Sequence, residues 1–108
     1  MSEYAVGLLE SLPNMGGSKF EINDRRLALF RIDDTVYIIG DVCSHAEASL
    51  SEGELFDHEV ECPRHGAEFD ITTGAALSLP ATKPVPTYQT EIRDGQVFVT
   101  IEDEDTNE

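Results

Sequence analysis

Basic residues are scarce in this chain of 108 residues. Lysine and arginine together number 7 against 22 aspartates and glutamates, a formal net charge of −15. A surface this acidic is unsuited to nucleic acid, whose phosphates demand basic groups, and to anionic membrane surfaces. The sequence also lacks any run of about 18 apolar residues, so it predicts no membrane-spanning helix. We therefore expect neither nucleic acid nor a membrane among the partners.

Signals for export are missing as well. The N-terminus, MSEYAVGLLESLP, has no basic stretch and carries two glutamates, a composition that is not typical of a secretory signal. We expect a cytoplasmic protein, and a structural disulfide is unusual in that compartment. A cytoplasmic chain with 2 cysteines more often uses them for metal binding or redox chemistry.

Helical periodicity is the third absence. No segment keeps a 3.6-residue apolar period for ten residues, which indicates little helix. Apolar runs are instead short and separated by turn residues, with hairpins predicted around Asp33-Asp34 and Asp94-Gly95 and a further turn at Thr73-Gly74. The predicted strands are 4–9, 19–22, 27–32, 35–39, Glu54–Phe56, Glu59–Glu61, Glu68–Asp70 and the two arms of TYQTEIRDGQVFVTIE. This pattern predicts an all-β fold, an antiparallel sandwich or barrel.

The length favours a single domain, residues 1–108, ending in an acidic tail at 102–108 that we expect to be disordered. Segments 41–53, 63–67 and the proline-rich 78–87 are predicted to be loops. His58 is predicted to be a solvated surface residue. The aromatic residues expected in the core are Phe30, Phe56, Phe69 and Phe98.

Four of the five cysteines and histidines form two pairs, Cys43-x-His45 and Cys62-x-x-His65, with sixteen residues between His45 and Cys62. Two loops at one end of a β-scaffold can bring such pairs together around one metal centre. Zinc is one interpretation, because two cysteines and two histidines are an ordinary structural zinc set. Its ligands are usually separated by two to four residues, so the single residue inside the first pair is unfavourable for a tetrahedral site.

The segments CSH and CPRHG resemble the C-x-H…C-x-x-H signature of the Rieske family, which holds a [2Fe–2S] cluster. The resemblance covers residues 3–101 and includes a proline loop over the cluster, here around Pro80. It implies that Cys43 and Cys62 bind the inner iron, and that His45 and His65 bind the outer iron near the surface. Neutral imidazoles in place of two thiolates make the cluster less negative and raise its reduction potential.

The sequence departs from the high-potential members of that family at four positions. Those members tie the two cluster loops together with a disulfide, where this chain has Ala48 and Arg64. They also place a serine and a tyrosine that donate hydrogen bonds to cluster sulfur, where this chain has Ala67 and Phe69. Fewer donors stabilise the reduced cluster less, so the resemblance implies a soluble, low-potential ferredoxin. Gly66 is expected to approach sulfur and donate its N–H, and Pro63 to shield the cluster or to rigidify the loop.

Three functions are compatible with these residues. The first is an electron-transfer ferredoxin that passes single electrons from a flavin-dependent ferredoxin reductase to a terminal, aromatic-ring-hydroxylating oxygenase. The second is the same kind of ferredoxin serving another redox system or iron–sulfur assembly, and the third is a zinc-stabilised binding module. In each case we expect a monomer that is not itself an enzyme, since the length leaves no room for a catalytic mononuclear iron domain. The acidity serves either partner docking or solubility.

Overall fold

The computed structural model describes residues 2–42, 48–64, 66–79 and 83–101, and these residues are mostly in β-strands. The strands are β1 (Ser2–Leu8), β2 (Gly16–Ile22), β3 (Arg25–Ile32), β4 (Thr35–Gly40), β5 (Glu54–Phe56), β6 (Glu59–Glu61), β7 (Glu68–Asp70), β8 (Thr87–Arg93) and β9 (Gln96–Ile101). Two short 3-10 turns, Leu9–Ser11 and Leu50–Glu52, interrupt them. Within the described ranges no helix has the length and apolar content needed to cross a bilayer.

The strands form two antiparallel sheets. The large sheet has six strands in the order β1-β9-β8-β4-β3-β2, and the small sheet has three in the order β5-β6-β7. Strands β4 and β8 are joined by the pairs Ile38–Tyr88 and Ile39–Thr87, which connect the two halves of the large sheet. The all-β antiparallel fold predicted from the sequence is confirmed: the large sheet curls on itself, and the small sheet packs beside it.

Strand β3 separates two apolar cores because it is buried on both faces. Leu27 and Leu29 pack with β9 residues inside the curled sheet, whereas Ala28 and Phe30 face the small sheet. A strand covered on both sides reads as a continuous apolar run rather than an alternating one, as LALF does here. The second core, between β3, β4 and the small sheet, is the one that contains Cys62.

The hairpin turns explain why the strands begin and end where they do. Asp94 and Gly95 both have positive φ, 52° and 78°, as expected for the predicted aspartate–glycine turn. Asn23 and Asp24 also have positive φ, 51° and 66°, and they join β2 to β3. This last hairpin was not predicted, although asparagine and aspartate tolerate the left-handed region better than other non-glycine residues.

The predictions for the aromatic residues were right at two positions. Phe30 and Phe69 are fully buried, but Phe56 is 49% exposed, so its assignment to the core was wrong. Phe56 pairs with Glu59 on the outer face of the small sheet, while its neighbour Leu55 faces the core. Phe98 is only partly buried, and the guanidinium of Arg93 covers its ring at 4.1 Å. The tail 102–108 and Pro80 lie outside the described residues.

Candidate metal-cluster site

Cys62 follows the last residue of β6 and begins the second ligand segment, residues 62–67. Its thiol is free and 1% exposed, within the core that also contains Ala67 and Phe69. The Cys62 N–H donates to the Ala67 carbonyl (2.7 Å), and the Cys62 carbonyl accepts from the Gly66 N–H (3.0 Å). The backbone of Cys62 is therefore fixed on both sides by its own segment.

Gly66 allows this segment to reverse direction. Its φ is +78°, a conformation that a residue with a Cβ rarely adopts. The Gly66 N–H donates to the carbonyl of Cys62, and its expected hydrogen bond to sulfur stays a prediction. The glycine is needed here for its backbone conformation. Pro63, in the same segment, is exposed.

A cleft of about 450 Å³ opens beside Cys62. Its lining residues come from the turn before β5, the start of β5, the end of β6 and the second ligand segment: Glu52, Gly53, Glu54, Glu61, Cys62, Pro63 and Gly66. A larger groove of about 720 Å³ lies over β4 and β8, lined by residues such as Tyr37, Thr72 and Tyr88. That groove has neither thiol nor imidazole in its lining, so size does not make it the metal site. The smaller cleft has the appropriate chemistry.

The structure describes the residues that flank the first ligand segment, residues 43–48, on both sides. Cys43 and His45 lie outside the described residues, as does His65. Val42 and Ser49 form an isolated antiparallel bridge, and the Leu50 N–H donates to the Asp41 carbonyl at 2.7 Å. These contacts close the base of the first ligand segment.

Two glycines bring the first segment's base against its surroundings. A Cβ on Gly53 would collide with the carbonyl of Glu61, the residue before Cys62. A Cβ on Gly17 would lie 2.6 Å from the Ser51 carbonyl and 2.9 Å from the Phe30 ring. Residues 50–53 therefore pack between β2 and β6. They link the base of the first ligand segment to the residue before Cys62.

The described residues fit an iron–sulfur cluster. A cluster needs deprotonated thiolate ligands in a site that excludes most water, and Cys62 offers a buried, backbone-fixed thiol at the wall of a cleft. Within the described residues no group of three or more histidine, cysteine, aspartate or glutamate side chains is placed to hold a metal ion.

Sequence reasoning missed Asp41, a fully buried carboxylate at the base of the first ligand segment. Nothing in VYIIGD shows that an aspartate after an apolar strand is buried, because such a residue usually begins an exposed turn. Gly53 was also missed, although a glycine in a predicted loop is itself a signal of close backbone approach. His58 is exposed as predicted, and its ring meets Tyr37 edge-on with 5.5 Å between centroids.

Comparisons with known proteins show to which family the chain belongs. A sequence model of the Rieske [2Fe–2S] domain matches residues 2–89. The 3-phenylpropionate/cinnamic acid dioxygenase ferredoxin subunit of Photorhabdus laumondii is 44% identical over 105 residues, 96% of this chain and 99% of that relative.

Solved structures give the same result. The ferredoxin of carbazole 1,9a-dioxygenase from Nocardioides aromaticivorans IC177 superposes with a TM-score of 0.91 at 32% identity, covering 94% of this chain and all of that one. A chain from a complex of reduced oxygenase and oxidised ferredoxin in carbazole 1,9a-dioxygenase superposes with a TM-score of 0.84 at 33% identity, covering 90% and 91%. On the sequence match, the shared fold and the buried thiol, the chain belongs to the Rieske [2Fe–2S] domain family.

Proposed function

We propose that this protein is the ferredoxin of a multi-component oxygenase and passes single electrons to a terminal, ring-hydroxylating oxygenase. The observation that carries this proposal is the match over nearly the whole of both chains to a dioxygenase ferredoxin subunit. A second relative in structure comes from a ferredoxin–oxygenase complex, which is the association proposed here. Membership of the Rieske [2Fe–2S] family gives the cofactor, so the zinc-stabilised module is set aside.

Four residues are proposed to hold the cluster. Cys43 and Cys62 supply the two thiolates for one iron, and His45 and His65 supply the two imidazoles for the other. The burial of the Cys62 thiol and the closed base of the first ligand segment support this assignment. When bound, the cluster supplies one-electron redox chemistry.

The chain's own part in that chemistry is to fix ligands and limit solvent. The core around Cys62 keeps water from its sulfur, and the hydrogen bonds to Ala67 and Gly66 fix its backbone. Fixed ligands reduce the rearrangement that accompanies a change of charge, which favours rapid electron transfer.

The electron donor is proposed to be a flavin-dependent ferredoxin reductase. The alternative of a ferredoxin serving another redox or assembly system predicts different partners, so reconstitution distinguishes the two. Because a relative matched over nearly its full length is a 3-phenylpropionate/cinnamic acid dioxygenase ferredoxin subunit, the first oxygenase to test is one acting on aryl-substituted carboxylic acids. The single domain over 1–108, the monomeric state and the cytoplasmic location stay predictions, which size-exclusion chromatography and cell fractionation would check.

The test begins with anaerobically purified protein. We expect two iron atoms and two acid-labile sulfides per chain and a Rieske-type EPR signal after reduction. Each of Cys43→Ala and Cys62→Ala should lose the cluster, whereas His58→Ala, which alters the histidine outside both pairs, should retain it. One zinc and no labile sulfide would contradict the cofactor assignment. A loaded protein that supports no turnover with any ring-hydroxylating oxygenase would instead favour another redox system.

A further inference from the structure

Two buried polar atoms have no hydrogen-bond partner in the part of the chain that the structure describes, Asp41 Oδ2 and Ser51 Oγ. Both lie at the base of the first ligand segment, two residues before Cys43 and six residues after His45. Asp41 is fully buried and Ser51 is 8% exposed. Buried polar groups without partners are costly to folding, so their concentration at one place points to a role there.

Asp41 makes three hydrogen bonds with other described residues. Its Oδ1 accepts the Ser51 N–H at 2.8 Å, its carbonyl accepts the Leu50 N–H at 2.7 Å, and its own N–H donates to the Arg26 carbonyl at 2.9 Å. Arg26 is a weak ionic partner, because its Nη2 lies 3.9 Å from Oδ2 and its side chain is 42% exposed. The carboxylate is therefore held mainly by the backbone of the 3-10 turn Leu50–Glu52.

Gly53, which follows that turn, contacts the residue that precedes the second ligand segment. Because the Gly53 backbone packs directly on the Glu61 carbonyl, a displacement of residues 50–53 is transmitted to the residue beside Cys62. These contacts thus link β4, through Asp41 and residues 50–53, to the backbone beside Cys62. No disulfide joins these residues.

We propose that Asp41 is a positioning residue for the cluster site, which sets the base of the first ligand segment relative to Cys62. The inference rests on the proposed [2Fe–2S] function and assigns a role to a residue that ligates no metal. Outer groups that orient metal ligands typically affect metal retention by about 10- to 100-fold. We expect that loss of the hydrogen bond between Asp41 and Ser51 changes cluster retention by a factor in this range.

The experiment compares cluster loss to a chelator in three variants of the loaded, full-length protein. Asp41→Ala removes the acceptor for the Ser51 N–H, so the cluster should be lost about tenfold faster than in the wild type, with shifted g-values in the EPR spectrum of the reduced protein. Asp41→Asn keeps an oxygen acceptor and should stay within about threefold of the wild-type rate. Val99→Ala, in the other core, is the matched control for lost stability.

If Asp41 had a purely structural role, Val99→Ala and Asp41→Ala variants of equal unfolding free energy would lose the cluster at the same rate. The g-values of both would then be those of the wild type. This result would overturn the proposal. If the Asp41→Ala variant does not fold, the comparison of variants is replaced by hydrogen exchange of the Ser51 amide in the wild-type protein. The Ser51 amide should exchange slowly in the cluster-free and loaded protein alike, and exchange as fast as an exposed loop amide would contradict the proposal. Wild-type protein without iron and sulfide would defeat the proposed function, whereas loaded protein with a rapidly exchanging Ser51 amide would defeat only the role of Asp41.

Discussion

Phe69 is the residue at which the structure bears most directly on the reduction potential. It is fully buried in the same core as Cys62, opposite Val60 in the small sheet. Because Phe69 and Ala67 offer no hydroxyl donor to cluster sulfur, the potential should lie near the low end of the Rieske range, about −150 mV.

Phe69→Tyr should raise that potential. A new hydroxyl at this buried position needs a partner, and a hydrogen bond to cluster sulfur would stabilise the reduced state by about 0.5–1.5 kcal/mol, or about 20–60 mV. The measurement is a redox titration followed by EPR. Phe20→Tyr, at a half-buried position in the other core, is the control and should leave the potential unchanged. A destabilised Phe69→Tyr protein with the wild-type potential would show that the hydroxyl does not reach sulfur.

Among the elements, strand β7 ends in a carboxylate, Asp70, whose pKa is shifted by hydrogen bonds from the turn that follows. The pKa of Asp70 is lowered below its ordinary value of 3.8, first by the hydrogen bond from the Thr72 hydroxyl and then by the bond from the Thr72 N–H. The corresponding distances from Oδ1 are 2.6 Å and 2.8 Å. Gly74, with φ of +79°, closes the turn against the carbonyl of Val85.

The sign of the pH dependence follows from that lowered pKa. Since the folded state favours the charged form of Asp70, the stabilisation is present above the ordinary pKa and is lost as the pH falls through the lowered one. Thr72→Ala should raise the pKa of Asp70 toward 3.8, as measured by NMR titration of its carboxyl carbon. Thr73→Ala is the control, because its hydroxyl accepts from Ala75 instead of donating to Asp70. An equal rise in both variants would contradict this assignment.

The elements show which parts of the fold a sequence reveals. The short strands β5, β6 and β7 were predicted with their observed bounds, because turn residues and apolar alternation mark both ends. The same alternation explains why Phe56 is exposed. Phe56 lies on the same face of the sheet as Glu54, whereas Leu55 lies on the opposite face, toward the core. The aromatic character of Phe56 suggests the core, but its position in the alternation places it on the outer face.

The site was less predictable than the strands. The two Cys/His pairs predict the ligand set by their spacing, which is a local property of the sequence. The contacts of Asp41 with Ser51 and of Gly53 with Glu61 depend on how distant segments meet, and no local pattern encodes them.

At the scale of the whole molecule, the outer face of the small sheet is notable for carrying five carboxylates on three short strands. Glu54, Glu61 and Glu68 are directly opposite one another in register, and Glu59 faces Asp70 in the next row. Like charges opposite each other destabilise a sheet, so this arrangement is not explained by stability. Glu54 and Glu61 also line the cleft beside Cys62.

Electron transfer to the partner should therefore fall as ionic strength rises, because salt screens the attraction to a basic patch. Glu54→Gln combined with Glu59→Gln should lower the low-salt rate about threefold and flatten its salt dependence. Glu10→Gln combined with Asp34→Asn removes the same charge elsewhere on the surface and is the matched control. Equal effects of the two pairs, measured by stopped-flow reduction, would mean that net charge alone steers the partner.

The rows of carboxylates on the small sheet have a second consequence, for the protein at high concentration. Strand β5 is at one edge of that sheet, and beside its Glu54 it carries the half-exposed ring of Phe56. An edge strand with an exposed aromatic residue is a template onto which a second molecule can add a strand, the first step of aggregation. Repulsion between identical acidic faces opposes that step, so acid strong enough to protonate the carboxylates removes the protection and leaves this edge open to self-association.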